Sequence, residues 1–225
     1  MNKRKTYLIL GLGIFGSTIS KELVKYSQDV IAIDSNMELV EDVSQYVSHA
    51  VCCDFQDIDQ LIAVGIENVD VAIVATGSHL EASIFAIMNL KQLGVPYVLA
   101  KAKDDIYGEI LKKVGADKVI MPEKETGMKI ARSLLAWNIV ELFDIDKDYS
   151  IMEIKVPNSW VNKTLIDLNL RKKFGINVIG IRSNGNNHLS VNPSPTYKIQ
   201  GEDQFLVVAD KEIFNHYEDL EKVSN

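Results

Sequence analysis

Gly11-Leu12-Gly13-Ile14-Phe15-Gly16 follows the apolar run Tyr7-Leu8-Ile9-Leu10 and opens a helical stretch over residues 15–26. A second apolar run, Val30-Ile31-Ala32-Ile33, ends on Asp34. Strand, glycine turn, helix, strand and acid is the order of a dinucleotide-binding βαβ unit. Gly11 permits the tight turn. Gly13 leaves room for a pyrophosphate at the backbone. Gly16 lets the helix pack close to the strand. The helix start then presents N–H groups and a favourable dipole to phosphates. Asp34 lies 18 residues beyond Gly16, where a carboxylate can accept bonds from ribose hydroxyls. The other reading of the same residues is a unit that keeps its turn glycines and binds nothing.

Asp34 also narrows the ligand. A carboxylate repels a 2′-phosphate, and the sequence has no Lys or Arg between Lys25 and Lys91 to accommodate one. The expected ligand carries adenosine with a free 2′-hydroxyl: NAD(H), ATP, ADP or AMP.

Outward from this stretch the alternation continues. Helices are expected over residues 37–46, 57–64, 79–92 and 105–114, and strands over 49–53, 69–75, 97–102 and 118–121. Continuous apolar strands alternating with helices mean a parallel sheet covered on both faces. The fold class read here is therefore α/β, a Rossmann-like doubly wound parallel sheet over residues 1–122, followed by a small α+β carboxy-terminal domain. A long helix is expected to follow Pro122. Over residues 128–143, 11 of 16 side chains are apolar, including Trp137 and Phe143, more than one buried stripe needs. Residues 123–143 therefore read as a crossover helix, either sandwiched within the chain or shared with another subunit; the shared version is favoured. Residues 144–225 form the second domain. It has strands near 150–156, 177–182 and 204–209, a helix over 165–174 and a final helix over 211–223. Asn184-Gly185-Asn186-Asn187 is a hairpin turn signal.

Composition excludes several classes. The net charge is −7, which argues against nucleic acid as a partner. No uncharged stretch reaches the ~18 residues of a membrane span, and Lys3-Arg4-Lys5 is too short for a targeting segment. The only cysteines are adjacent, Cys52 and Cys53, as expected of a reduced, cytoplasmic compartment. Catalytic residues are hard to find. Tyr97 and Lys101 have a dehydrogenase-like Tyr-x-x-x-Lys spacing, but in a strand they stand ~13 Å apart. The four histidines are dispersed, and there is no phosphate loop of the Gly-Lys-Ser/Thr kind. A bound nucleotide has no evident chemistry to perform, so it reads as an effector that biases a two-state assembly. An NAD-dependent oxidoreductase is the alternative.

The sequence resembles the cytoplasmic regulatory subunits of bacterial Trk/Ktr potassium uptake systems, which join an RCK amino-terminal to an RCK carboxy-terminal domain. The resemblance covers essentially the whole chain. It rests on residues 10–16, Ala32-Ile33-Asp34, Ala75-Thr76-Gly77, Lys101-Ala102, Gly115-Ala116-Asp117, Pro122-Glu123-Lys124 and residues 166–171. It implies a homo-oligomer, a dimer assembled into an octameric ring. The ring binds NAD(H) or ATP/ADP and gates a membrane potassium-translocating subunit; a regulator of a different transporter is the further alternative. It implies a nucleotide site at Gly11, Gly13, Ile14, Phe15, Gly16, Asp34, Ser35, Asp54, Phe55, Ala75, Thr76, Gly77 and Lys101. Asp54 would meet the adenine amino group; its other reading is a loop carboxylate or helix cap. Ile14 departs from the Arg common in the family, which weakens ATP-over-ADP discrimination and favours NAD(H) or a weaker ATP response. Glu123 would hold Mg²⁺ or Ca²⁺ between subunits; its other reading is a carboxylate favoured by a helix dipole. Cyclic di-AMP would sit in a carboxy-terminal dimer interface at Leu165, Ile166, Arg171, Asn177, Val178, Asn192 and Pro193. Alternatively Leu165, Ile166 and Val178 are core, and Arg171 belongs to a solvated run with Lys172 and Lys173.

Overall fold

The computed structural model describes residues 4–77, 79–135, 139–183 and 188–210. The chain divides into two compact units, Met1–Thr126 and Gly127–Asn225.

In the first unit β1 (Thr6–Leu10), α1 (Ile14–Lys25), β2 (Asp29–Asp34), α2 (Met37–Ser44), β3 (His49–Cys52) and α3 (Ile58–Val64) alternate. They are followed by β4 (Val71–Val74), α4 (Leu80–Gln92), β5 (Tyr97–Lys101), α5 (Asp105–Val114) and β6 (Lys118–Ile120). The six strands form one sheet in the order β3-β2-β1-β4-β5-β6, every pair parallel. Period-two alternation splits each strand between two cores. Ile9, Val30, Ala32 and Ile73 pack with Val40 and Val43 of α2 and with Ile19 and Leu23 of α1. Leu8, Leu10, Ile31, Ile33, Ala72 and Val74 pack on the other face with Leu61, Ala86, Ile87, Leu90 and Leu111. A strand buried on both faces has no polar side, which is why these runs read as continuous hydrophobics. The chain order reverses between β1 and β4, the switch point where ligands bind in such sheets.

Helix α6 (Pro122–Leu135) leads from the first unit into the second. There β7 (Ile139–Asp144), β8 (Tyr149–Lys155), α7 (Leu165–Leu168), α8 (Leu170–Phe174), β9 (Asn177–Arg182), β10 (Leu189–Val191) and β11 (Gln204–Asp210) follow. The strands form an antiparallel sheet in the order β10-β9-β11-β8-β7. Met152, Ile154, Phe205 and Val207 on its inner face pack against Trp160, Leu168, Leu170 and Ile176. The Trp160 and Phe205 rings lie 6.1 Å apart between centroids.

The long apolar helix expected through residue 143 is corrected here. Helix α6 is assigned to Leu135, and residues 139–144 are strand β7, paired antiparallel with β8. The apolar run joined a helix to a strand. Its second half holds Ile139, Val140 and Phe143, side chains that fit a pleated surface. Asp146 Oδ1 accepts from the backbone N–H of Asp148 and of Tyr149, each at 2.8 Å, and turns the chain back into β8. Trp137 lies outside the described residues. The helix expected over residues 165–174 is broken at Asn169, whose φ of 47° is left-handed. The hairpin turn at Asn184–Asn187 and the final helix over residues 211–223 also lie outside the described residues.

Candidate functional site

The site grows from the turn between β1 and α1. Gly11 has φ +95°, and a Cβ there would stand 3.2 Å from Thr76 Cγ2 and 3.3 Å from the Ala75 carbonyl carbon. The turn therefore lies directly against the exit from β4, where Ala75 N–H donates to the Leu10 carbonyl at 2.7 Å. A Cβ on Gly16 would fall 1.8 Å from the Gly11 carbonyl oxygen, so the helix and the turn touch through bare backbone. A Cβ on Gly13 would meet nothing within 4 Å. That side of the turn is open.

Gly13 is also the N-cap of α1, with no side-chain cap and no acid in the first turn. Side chains do this work at four other helices: Asn36 caps α2, Asp57 caps α3, Asp104 caps α5 and Thr164 caps α7, whereas α4 and α8, like α1, have no side-chain cap. Helix α1 thus presents the positive end of its dipole toward the open side of the glycine turn, the arrangement that suits an anion. Asp34, at the end of β2, faces this turn. Its Oδ2 accepts from Leu12 N–H at 2.7 Å and its Oδ1 from Asn36 N–H at 2.8 Å. One carboxylate therefore fixes the glycine turn and the start of the β2–α2 loop together. Ser35 beside it is exposed, and its carbonyl accepts from the Cys52 thiol at 3.4 Å.

On the far side of the switch point, Thr76 shares a 2.6 Å hydrogen bond with the Ser83 hydroxyl. Gly77 has φ +37° and lies against the Lys101 side chain, whose Cε a Cβ would approach to 3.0 Å. Lys101 Nζ forms an ion pair with Glu123 in the first turn of α6 and stands 5.6 Å from the centroid of the Phe15 ring. The Lys101 side chain is only 16% exposed, while Glu123 is 67% exposed. The Lys101 ammonium holds the Glu123 carboxyl below the usual glutamate range. This pairing joins residues 22 apart and had no signal in the sequence.

Gly11, Gly13, Phe15, Gly16, Asp34, Ala75, Thr76, Gly77, Lys101 and Glu123 are thus linked by contacts around one crevice. Ile14 opens α1 with its side chain 91% exposed. Two expected residues stand differently. Phe55 is buried in the core, so its ring has no face free for a base; an aromatic in an otherwise apolar strand-to-helix connection is drawn inward by burial. Asp54 is exposed, and its Oδ1 accepts from the Gln56 backbone N–H at 2.9 Å. That is the loop-carboxylate arrangement. Tyr97 and Lys101 occupy the two ends of β5.

The open glycine, uncapped helix start and facing carboxylate suit a phosphate and a neighbouring hydroxyl-bearing ring. A divalent cation does not fit within one chain. Among the described residues no group of three or more His, Cys, Asp or Glu stands together, and the Glu123 charge is already matched by Lys101.

The expected effector residues lie in the second unit. Ile166 N–H at the start of α7 donates to the Pro195 carbonyl at 3.1 Å, and Asn192 N–H donates to the Ile179 carbonyl at 3.1 Å. The first bond ties α7 to the segment after β10, and the second ties that segment to β9. Leu165 and Val178 are partly buried and pack against the core, whereas Ile166 is 60% exposed. Arg171 on α8 is exposed. No helix among the described residues is long and apolar enough to cross a membrane.

Comparison with known proteins agrees with this division. Residues 7–122 match the TrkA-N domain and residues 151–222 the TrkA-C domain. The chain is 34% identical to the Ktr system potassium uptake protein A of Bacillus subtilis, covering 96% of both sequences. It is 33% identical to the Ktr system potassium uptake protein C of the same organism, covering 91% of this chain and 92% of that one. Among solved structures, the GsuK channel superposes with a TM-score of 0.68 at 17% identity, over 96% of this chain and 39% of that one. The GsuK channel bound to NAD gives 0.62 at 17% identity, over 95% and 38%.

Proposed function

This chain belongs to the TrkA-N/TrkA-C family of potassium uptake proteins, and from that premise we propose that it is the nucleotide-sensing regulatory subunit of a potassium uptake system. The observation that carries the nucleotide half of this reading is the open Gly13 at the uncapped start of α1, with Asp34 facing it. Phosphates are held by the first-turn N–H groups of α1. Ribose hydroxyls are held by Asp34. A ligand that contacts both turns the glycine loop and the β2–α2 loop into one rigid rim, and any conformer with a different rim loses that affinity. A ligand shifts an equilibrium only by such a difference. The ligand is NAD(H) or ATP/ADP, carried over from the family and from a neighbour solved with NAD.

Further parts of the reading follow from the family. The chain is cytoplasmic and acts on a separate membrane subunit that conducts potassium. It self-associates, with a dimer as the unit and an octameric ring as the assembly. Helix α6 supports the first of these: Ile130 and Leu134, one turn apart on the same face, are both exposed, an apolar stripe that a second copy would cover. Cyclic di-AMP is the proposed effector of the second unit. Exposed Ile166 packs on an adenine face, Arg171 meets a phosphate, and Asn177 and Asn192 bond base edges, from the same patch presented twice by a two-fold dimer.

The test is the nucleotide that co-purifies with the full chain, followed by turnover and ring-shape measurements on one sample. A nucleotide-dependent change in assembly without turnover supports the regulator; a turned-over substrate sinks it. Asp34→Ala is expected to weaken nucleotide binding by ~1–3 kcal/mol in calorimetry, the cost of losing hydrogen bonds to a charged group. Unchanged affinity for both ATP and NADH would remove Asp34 from the site.

A further inference from the structure

Between β10 and β11 the chain crosses residues 192–197 outside any strand, and Asn192, Ser194, Pro195 and Thr196 there are exposed. Tyr197 turns the other way. Its ring packs against the core that holds Trp160 and Phe205. Its hydroxyl donates to Asp203 Oδ2 at 3.0 Å, and Gln200 N–H donates to the same oxygen at 2.9 Å. A phenol has a single hydrogen to give, so the 3.2 Å contact with Ser183 Oγ is a bond that Ser183 donates. Ser183 directly follows β9 and Asp203 directly precedes β11. One phenol therefore joins two strand ends to the exposed segment. Burial pushes the Tyr197 phenol up, so it remains a donor at neutral pH. Asp203 is 1% exposed, its Oδ1 has no hydrogen-bond partner, and among the described residues it forms no ion pair. A carboxylate so placed loses hydration that two bonds on one oxygen do not replace. It is a poor source of net stability and a well-defined acceptor.

We infer that Tyr197 and Asp203 are positioning residues for the effector patch: their hydrogen bond holds residues 192–196 in the conformation in which Asn192 serves the same ligand as Ile166 and Arg171. This assignment rests on the effector reading and adds two residues that act through the segment rather than on the ligand. The segment has two other ties, Asn192 N–H to the Ile179 carbonyl and Ile166 N–H to the Pro195 carbonyl, each at 3.1 Å. Asn192, Ile166 and Pro195 are all exposed, and hydrogen bonds of exposed backbone open readily. Asn192 sits at φ 57°, one of several conformations that an unanchored Asn adopts. The buried tie is Tyr197. Without it the segment samples other conformers. A ligand that needs one of them then binds more weakly, in proportion to the fraction which that conformer holds.

The experiment titrates the full chain with cyclic di-AMP and follows amide exchange in the ligand-free protein. Tyr197→Phe keeps the ring in the core and removes the hydroxyl. It should weaken cyclic di-AMP binding about tenfold, the factor that one lost hydrogen bond to a charged group corresponds to. The amides of residues 192 and 197 should exchange faster by a similar factor, while those of β8 and β11 exchange as in the parent chain. Asp203→Asn keeps an acceptor for both donors and removes the charge, so its affinity should stay within about twofold of the parent. A Tyr197→Phe chain that binds as tightly as the parent overturns the inference. So does exchange that accelerates throughout the second unit, which would make the pair a general structural contact. An Asp203→Asn chain as weak as Tyr197→Phe also overturns it, because charge rather than a hydrogen-bonded position would then be what matters. Failure of the parent chain to bind cyclic di-AMP removes the effector reading itself, and the inference with it.

Discussion

Gly11, Gly13 and Gly16 look alike in the sequence and answer three different constraints. Gly11 needs its positive φ, Gly16 needs the space that the Gly11 carbonyl oxygen occupies, and Gly13 needs neither. Gly16→Ala should therefore destabilise the first unit by at least about 3 kcal/mol, the upper end of ordinary overpacking costs, because backbone has to move. Gly13→Ala, at an unstrained φ of −60° and with nothing within 4 Å, should stay within about 1 kcal/mol of the parent but lose nucleotide binding. Urea melts and calorimetry on the two variants separate these outcomes; a Gly13→Ala chain that binds normally would show that no ligand approaches there. The adjacent cysteines split in the same manner. Cys52 is exposed, whereas burial pushes the Cys53 thiol up to about 11. A thiol reacts as its anion. At neutral pH one equivalent of iodoacetamide should add quickly at Cys52. Cys53 should react only as the pH climbs toward that value or the fold opens, and peptide mass spectrometry reads which one is labelled.

Elements show where local rules gave way to packing. Helices α7 and α8 would be one helix by apolar pattern, but Asn169 sits at φ 47° between them. Asn tolerates that conformation; residues with a plain Cβ pay about 1 kcal/mol or more for it. Asn169→Ala should lower the stability of the second unit by about that amount, and Asn169→Gly should leave it nearly unchanged. Amide exchange over residues 165–176 is the measurement. Thr164 fixes the start of this segment through a reciprocal capping box with Asp167. Helix α6 poses a different problem. Its basic and acidic groups are accounted for at the start, where Lys124 pairs with Asp105, but Leu134 near its end is 73% exposed. If a second copy covers that face, Leu134→Asp should weaken self-association by ~2–4 kcal/mol while leaving the monomer's fold intact. Sedimentation velocity decides it: an unchanged association constant would place the interface elsewhere.

At the scale of the whole molecule, two units of opposite sheet type share one chain and one helix. In the first, the sequence alone settled the architecture. Strands buried on both faces are continuous apolar runs, helices between them are stopped by glycines such as Gly65, and a parallel sheet follows from that pattern without knowledge of contacts. The glycine turn and Asp34 were legible for the same reason, because backbone conformation and a fixed strand–turn–helix spacing are local properties. The second unit was read less well. Its first strand, β7, merged with α6 in an apolar run, since short hydrophobic segments carry no period that separates helix from strand. Only pairing with β8 settled it. Tertiary structure also decided which side chains of the candidate site meet. Phe55 went to the core and Asp54 to its own loop. Glu123 met Lys101 across 22 residues of sequence, because β5 ends where α6 begins in space. Composition and spacing fix what a segment is. Which charges cancel one another depends on distances between segments, and those exist only once the sheet has formed.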